Sequence, residues 1–364
     1  MPEFEGADLR VREESFCAAS DDPSGHTSNI GDQFPANHGT NVVAVIIGTG
    51  RGAAGQPGMM GVAPGATVNF YGAGARIDGA TQPCSDADGV DSRARAIDEA
   101  VVEGADIISV SLGGNLDSDT SDALARAYRS GAVVVLASPQ QASDGFALGS
   151  MAKANGVVVV ESGGPDGGLI PGLSLADPRV AVVAPGGGIR TIDGNSGWTS
   201  YRLQDGSSLA APWVAGALAL VWSEYPDATG NQMIQTLLRH TFLNDGDLVR
   251  HDDHVGYGTV SISRMLQADP TSYPDENPLL REDARPTIEE ITGGDPLPDA
   301  ADGDADEQDQ ATVAADGPSP AGGFPGVPVV AVGAAAVAVG LALVVTVAVR
   351  RRTSAGPPPA ARPR

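Results

Sequence analysis

GSSLAAPWVAGALAL, residues 206–220, sets a serine in a run of small residues directly ahead of an apolar helix. A chain built this way presents a nucleophilic hydroxyl at a helix N-terminus, where unpaired backbone N–H groups face the same space and stabilise an oxyanion developing there. Ser208 is the expected nucleophile, although a lone serine at this point reads equally well as a helix cap. Ala210, Ala211, Ala215 and Gly216 let neighbouring backbone come close. The helix is apolar nearly all round, which places it in a core rather than on a surface. Pro212 is expected in the first turn, where a missing N–H costs no helical hydrogen bond.

Outward from this helix, strand and helix patterns alternate. DIISVSL (106–112), AVVVLA (132–137), GVVVVES (156–162) and VAVVAP (180–185) are short and β-branched, as strands buried on both faces are. SRARAIDEAVVEGA (92–105) puts apolar and alanine positions on one side and charges on the other, and SDALARAYRSGA (121–132) opens on a capping serine with an acid in its first turn. This alternation predicts an α/β domain with a mostly parallel sheet, helices on both faces, and chemistry gathered at the carboxyl ends of the strands.

At 364 residues, 41% of them hydrophobic, the chain is long enough for one large domain and appendages. The net charge of -24 is uneven, since residues 275–316 hold fourteen acids and two arginines, a net of -12. So acidic a chain repels nucleic acid, which excludes DNA and RNA as partners. Residues 268–324 are rich in Asp, Pro, Gly and Ala and are expected to form a disordered, self-repelling tether rather than a calcium loop, because the acids lack EF-hand spacing.

The run 327–349, VPVVAVGAAAVAVGLALVVTVAV, carries no charge and is followed by Arg350, Arg351 and Arg352. Its 23 residues span roughly 34 Å as a helix, against a bilayer core of about 30 Å. A transmembrane helix is expected within residues 325–349. The arginines place the tail, 350–364, in the cytoplasm and the preceding domain outside a single-pass cell-membrane anchor.

Several motifs carry a family likeness. HGTNVVAVIIG (38–48), GVAPGATV (61–68), SLGG (111–114), APG (184–186) and GSSLAAPWVAG (206–216, with Ser207 where threonine is usual) occur in the order and at the separations of the subtilisin-like serine peptidases. The chain resembles that family over residues 1–267, and its layout resembles the membrane-anchored mycosins of type VII secretion. The resemblance implies a three-layer fold in which Ser208 attacks a peptide carbonyl and His38 acts as general base. It also implies that Ser111, Leu112, Gly113 and Gly114 form an edge strand to which an extended protein or peptide substrate adds. A secretion-system complex is the implied partner, and no cofactor is implied. HDDHVGYG (251–258) holds two histidines and two aspartates but resembles the family's closing turn, so no metal is expected. Cys17 and Cys84 admit one disulfide or two free loop thiols.

Two departures stand out. The family's aspartate lies in a strand ahead of the histidine, whereas PEFEG (2–6) resembles the segment that follows it; Asp8, Asp21, Asp22 and Asp32 sit in loop-like context and none is carried over. No signal segment opens the chain either, and both absences suggest a longer reading that supplies them upstream. Gln140 stands where an asparagine completes the oxyanion hole, one methylene longer and after Pro139. Losing that donor costs about a hundred- to thousandfold in turnover in subtilisin, the enzyme from which the figure comes. The expected functions are therefore a membrane-anchored serine endopeptidase of poor activity, or an inactive peptidase-fold scaffold in a secretion complex. An acidic ion-binding module has only the tether in its favour.

Overall fold

A computed structural model describes residues 1–18, 26–28, 34–73, 75–77, 80–82, 84–139, 150–293 and 343–348. Its centre is a seven-stranded sheet: β1 (Asp8–Val11), β2 (Thr67–Gly72), β3 (Ile107–Val110), β4 (Val133–Ala137), β5 (Val158–Gly163), β6 (Val180–Pro185) and β7 (Leu343–Ala348), in the order β1-β2-β7-β3-β4-β5-β6. β1 and β2 are parallel, as are β3 to β6, while β7 runs antiparallel to both its neighbours.

Alternation along the strands builds two cores. Ile107, Val133, Val135, Val158 and Val160 face helices α1 (Phe34–Ile47), α4 (Ser207–Glu224) and α5 (Gly230–Arg239). Ile108, Val134, Leu136 and Val159 face α2 (Ser92–Val102) and α3 (Ser118–Arg129). The period-2 geometry of a strand sends neighbours to opposite faces, so an all-apolar run must be covered twice. The result is the three-layer α/β arrangement expected. Asp91 caps α2 by accepting from Arg93 N at 2.8 Å, and Asp117 caps α3 by accepting from Thr120 N at 2.8 Å. α3 thus starts three residues before the serine expected to cap it. Thr229 and Gln232 form a capping box at the start of α5.

Two expectations change. Of the transmembrane helix expected in 325–349, the six described residues form β7 inside the sheet, and the rest lie outside the described residues. LVVTVA is uncharged and β-branched, a pattern that suits a buried strand as well as an apolar helix. Among the described residues no helix is long and apolar enough to cross a membrane.

The tether does not begin at 268. Residues 268–293 pack onto the domain: Asn155 Nδ2 donates to the carbonyls of Arg281 (2.9 Å) and Pro286 (3.0 Å), and Asn155 Oδ1 accepts from Arg281 N (2.8 Å). Gln235 and Asn277 add bonds to the Glu276 and Gly156 carbonyls, both at 2.9 Å. α6 (Ile262–Met265) precedes this segment, and α7 (Ile288–Thr292) lies against α3 with Ile291 buried. Composition misjudged the stretch because backbone hydrogen bonds to a buried asparagine, rather than large apolar side chains, hold it. Residues 294–324 lie outside the described residues.

Candidate active site

Ser208 is the second residue of α4, and its seat is built by close backbone approach. Gly206 N donates to Gly186 O at 2.7 Å. A Cβ on Gly186, the glycine of APG, would lie 2.7 Å from Gly206 O and 2.7 Å from Ser162 Cβ, so only glycine fits. Further along, a Cβ on Gly216 would meet Val62 Cβ at 2.8 Å, which is how α4 docks on the GVAPG segment.

Pro212 is the sixth residue of α4, beyond the first turn where it was expected. Its missing N–H would have bonded the carbonyl of Ser208, four residues back. Ser111 Oγ takes that carbonyl instead, at 2.9 Å. The proline thus frees an acceptor on Ser208 itself, and a serine 97 positions earlier fills it. Ser207 Oγ donates to Ser138 O at 2.6 Å, tying the same helical turn to the end of β4.

His38 lies in the second turn of α1. That helix is held against the hairpin of Ile189–Asp193 and Ser200–Gln204 by two asparagines flanking the HGT motif. Asn41 exchanges two 2.9 Å bonds with the Ile192 backbone, and Asn37 Oδ1 accepts from Gly194 N at 2.9 Å. Their i,i+4 spacing places both on one helix face, the one signal in the sequence that marks them as a pair. His38 bonds to the backbone of Ser111, and its Nε2 is sealed from solvent with no hydrogen-bond partner among the described residues. Burial disfavours the imidazolium and holds the pKa down to about 4, against the Ser111 bond, which raises it. The ring is neutral at pH 7, the state in which a general base must start.

Ser111 therefore touches both candidate residues. The rest of SLGG departs from expectation. β3 stops at Val110 and is interior to the sheet, between β7 and β4, so residues 111–114 are not an edge strand. Gly114 has φ 137°, and the buried Arg93 guanidinium, paired with Asp91 at 2.5 Å, donates to Gly113 O at 3.3 Å. Met151 N takes Gly114 O at 2.9 Å. A glycine pair in this conformation breaks the ladder and leaves Gly113 exposed while Ser111 and Leu112 are buried.

Gln140 lies outside the described residues, as do Asp21, Asp22 and Asp32. Asp8 sits on the edge strand β1, accepting from Thr67 Oγ1 at 2.8 Å. Among the described residues no carboxylate bonds His38. In HDDH, His251 Nε2 meets Asn244 Oδ1 at 2.9 Å, Asp252 caps a turn through His254 N and Val255 N, and Asp253 pairs with Arg250 at 2.9 Å. These side chains close a turn, and among the described residues no group of three acidic, histidine or cysteine side chains is placed to hold a metal. Cys17 and Cys84 are joined in a disulfide with Cα atoms 5.3 Å apart.

The chain has clear relatives. The model of the subtilase family, Peptidase S8, matches residues 10–258. Subtilisin DY of Bacillus licheniformis is 30% identical over 234 residues, 63% of this chain and 77% of that protein. The thermostable alkaline protease of Halalkalibacterium halodurans is 30% identical over 258 residues, 68% of this chain and 61% of that protein's length. The crystal structure of MycP1, from the ESX-1 type VII secretion system, shares the fold with a TM-score of 0.54 at 20% identity, over 75% of this chain and 84% of that one. With a serine at the head of a buried helix, a histidine on a second helix, and one serine touching both, the match over two thirds of its length makes this chain a member of the subtilase family of serine peptidases.

Proposed function

We propose that the chain is a serine endopeptidase acting on extended protein or peptide segments, with Ser208 as nucleophile and His38 as general base. The observation that supports this reading is Ser111, whose hydroxyl donates to the Ser208 carbonyl and whose backbone bonds His38, so that the two residues adjoin a common one. Ser208 would add to the scissile carbonyl while His38 takes its proton and returns it to the leaving amine. The N–H groups of the first α4 turn would face the developing oxyanion, with the Gln140 amide as side-chain donor.

A fluorophosphonate probe on the full chain tests this. The expected result is a stable adduct on Ser208, abolished in Ser208→Ala; an unlabelled protein whose near-UV circular dichroism is native defeats it. That second outcome would favour a scaffold in a secretion complex, a reading supported by the absence of a carboxylate on His38 among the described residues.

Membrane anchoring belongs to the same proposal. The 23 uncharged residues of 327–349 and the three arginines after them support a single-pass span with the peptidase domain outside the cell and the tail in the cytoplasm. For residues 343–348 the span and β7 exclude one another. Membrane association that survives alkaline carbonate is the expected result, and full release into the supernatant overturns the anchor.

A further inference from the structure

Glu161 is wholly buried near the carboxyl end of β5, and the chemistry proposed for Ser208 and His38 does not use it. Its carboxylate is fully engaged. Oε1 accepts from Ser162 N at 2.6 Å and Ser162 Oγ at 3.0 Å; Oε2 accepts from Ser138 Oγ at 2.8 Å and Leu175 N at 3.1 Å. All four donors are neutral. Burial pushes its pKa up, and the four hydrogen bonds oppose that shift. An apolar side chain here would avoid the cost of burying a carboxylate, so its place in the core calls for a role beyond filling space.

The bonds lead to the nucleophile. Glu161 holds the hydroxyl of Ser138, the carbonyl of Ser138 accepts from Ser207 Oγ at 2.6 Å, and Ser207 adjoins Ser208. The end of β4, the body of β5, the loop at Leu175 and the first turn of α4 are thereby tied at one point. We propose that Glu161 is a positioning residue for this site: it fixes Ser138, and through Ser138 it fixes the helical turn that presents the Ser208 hydroxyl and the N–H groups beside it. The proposal rests on Ser208 being the nucleophile, and it has a readout that does not.

The test follows fluorophosphonate inactivation of the full chain, separating probe affinity, the rate constant at saturation and the final labelled fraction. In Glu161→Leu the saturating rate constant is expected to fall about ten- to a hundredfold, as a misplacement near 1 Å would cause, with affinity and final fraction unchanged. Glu161→Gln, which keeps an acceptor oxygen, recovers part of the loss, and adding Ser138→Ala to Glu161→Leu costs nothing more. A wild-type rate constant in Glu161→Leu overturns the proposal, as does a fall confined to the labelled fraction in step with unfolding.

Amide exchange of wild type, Glu161→Gln and Ser138→Ala supplies the independent readout and applies if Glu161→Leu does not fold. Exchange at residues 136–138 and 206–211 is expected to rise about tenfold or more, with 107–110 unchanged. No change, or an equal rise throughout, overturns the clamp. Absent wild-type labelling together with the local exchange pattern overturns only the nucleophile reading.

Discussion

The serine side and the histidine side of this site are built to different standards. Around Ser208, Ser111, Ser138, Ser162, Ser174, Ser207 and Glu161 all donate or accept at between 2.6 and 3.1 Å, and a carbonyl freed by Pro212 has its own donor. Around His38, Nε2 is buried without a hydrogen-bond partner among the described residues. The strands beside antiparallel β7 show the same deficit: Asn69 Oδ1 on β2 and Ser109 Oγ on β3 are buried and unpaired among the described residues. Buried polar atoms are normally satisfied, so the two sides differ in more than detail. The seat of Ser208 is completed by contacts among β4, β5, α4 and the Ser111 hydroxyl. The histidine is positioned by Asn37 and Asn41 on its own helix, yet its ring is left half-engaged.

Four changes break or sharpen that contrast. The largest effect is expected from the covalent tie at the start of α2, on the sheet face away from Ser208 and His38 alike, since Cys17 and Cys84 close a loop of 67 residues. Replacing both by serine should cost about 4 kcal/mol in a chain-entropy account, read as a lower urea midpoint with the denaturant slope checked for change. A loss far below that would mean the α2 face is held by its packing rather than by the tie.

Next comes acid. The folded His38 pKa of about 4 lies below the unfolded value of 6.5, so the unfolded chain binds more protons between them. Stability present above pH 6.5 is therefore lost as pH falls towards 4, by up to about 3 kcal/mol. His38→Gln should flatten that part of the curve of melting temperature against pH; an unchanged slope would show that His38 is not the group responsible.

Ser111→Ala should cost about 1–3 kcal/mol, because it leaves the Ser208 carbonyl without its donor. The same substitution should slow labelling of Ser208, and a neutral result on both measurements would remove the claim that the serine side is the tighter one. The smallest effect is at the start of α5, where Thr229→Ala should cost about 1 kcal/mol without altering labelling at all. A change in labelling there would show that the seat of Ser208 extends further than its hydrogen bonds.

Much of this molecule is legible in short stretches. The strand runs at 107–110, 133–137, 158–163 and 180–185 announce themselves by β-branched, uncharged composition, and α4 by its small and apolar residues. The motifs around His38 and Ser208 mark the candidate groups for the same reason, since each is a local pattern at a helix. Where local reading went astray, a distant partner decided the outcome. Residues 268–293 look like tether until Asn155 claims their backbone, and SLGG looks like an edge strand until Arg93 and two glycines end it.

By itself, the sequence determined the layers of this protein, the helix that carries Ser208 and the motif that carries His38, because periodicity, capping and backbone permissiveness act over a few residues. Only the tertiary structure decided that Ser111 reaches both groups, that Pro212 opens the acceptor Ser111 fills, and that Glu161 stands behind Ser138. Those bonds join residues up to 97 positions apart, and a hydrogen bond depends on where two atoms meet in space, which no spacing along the chain encodes.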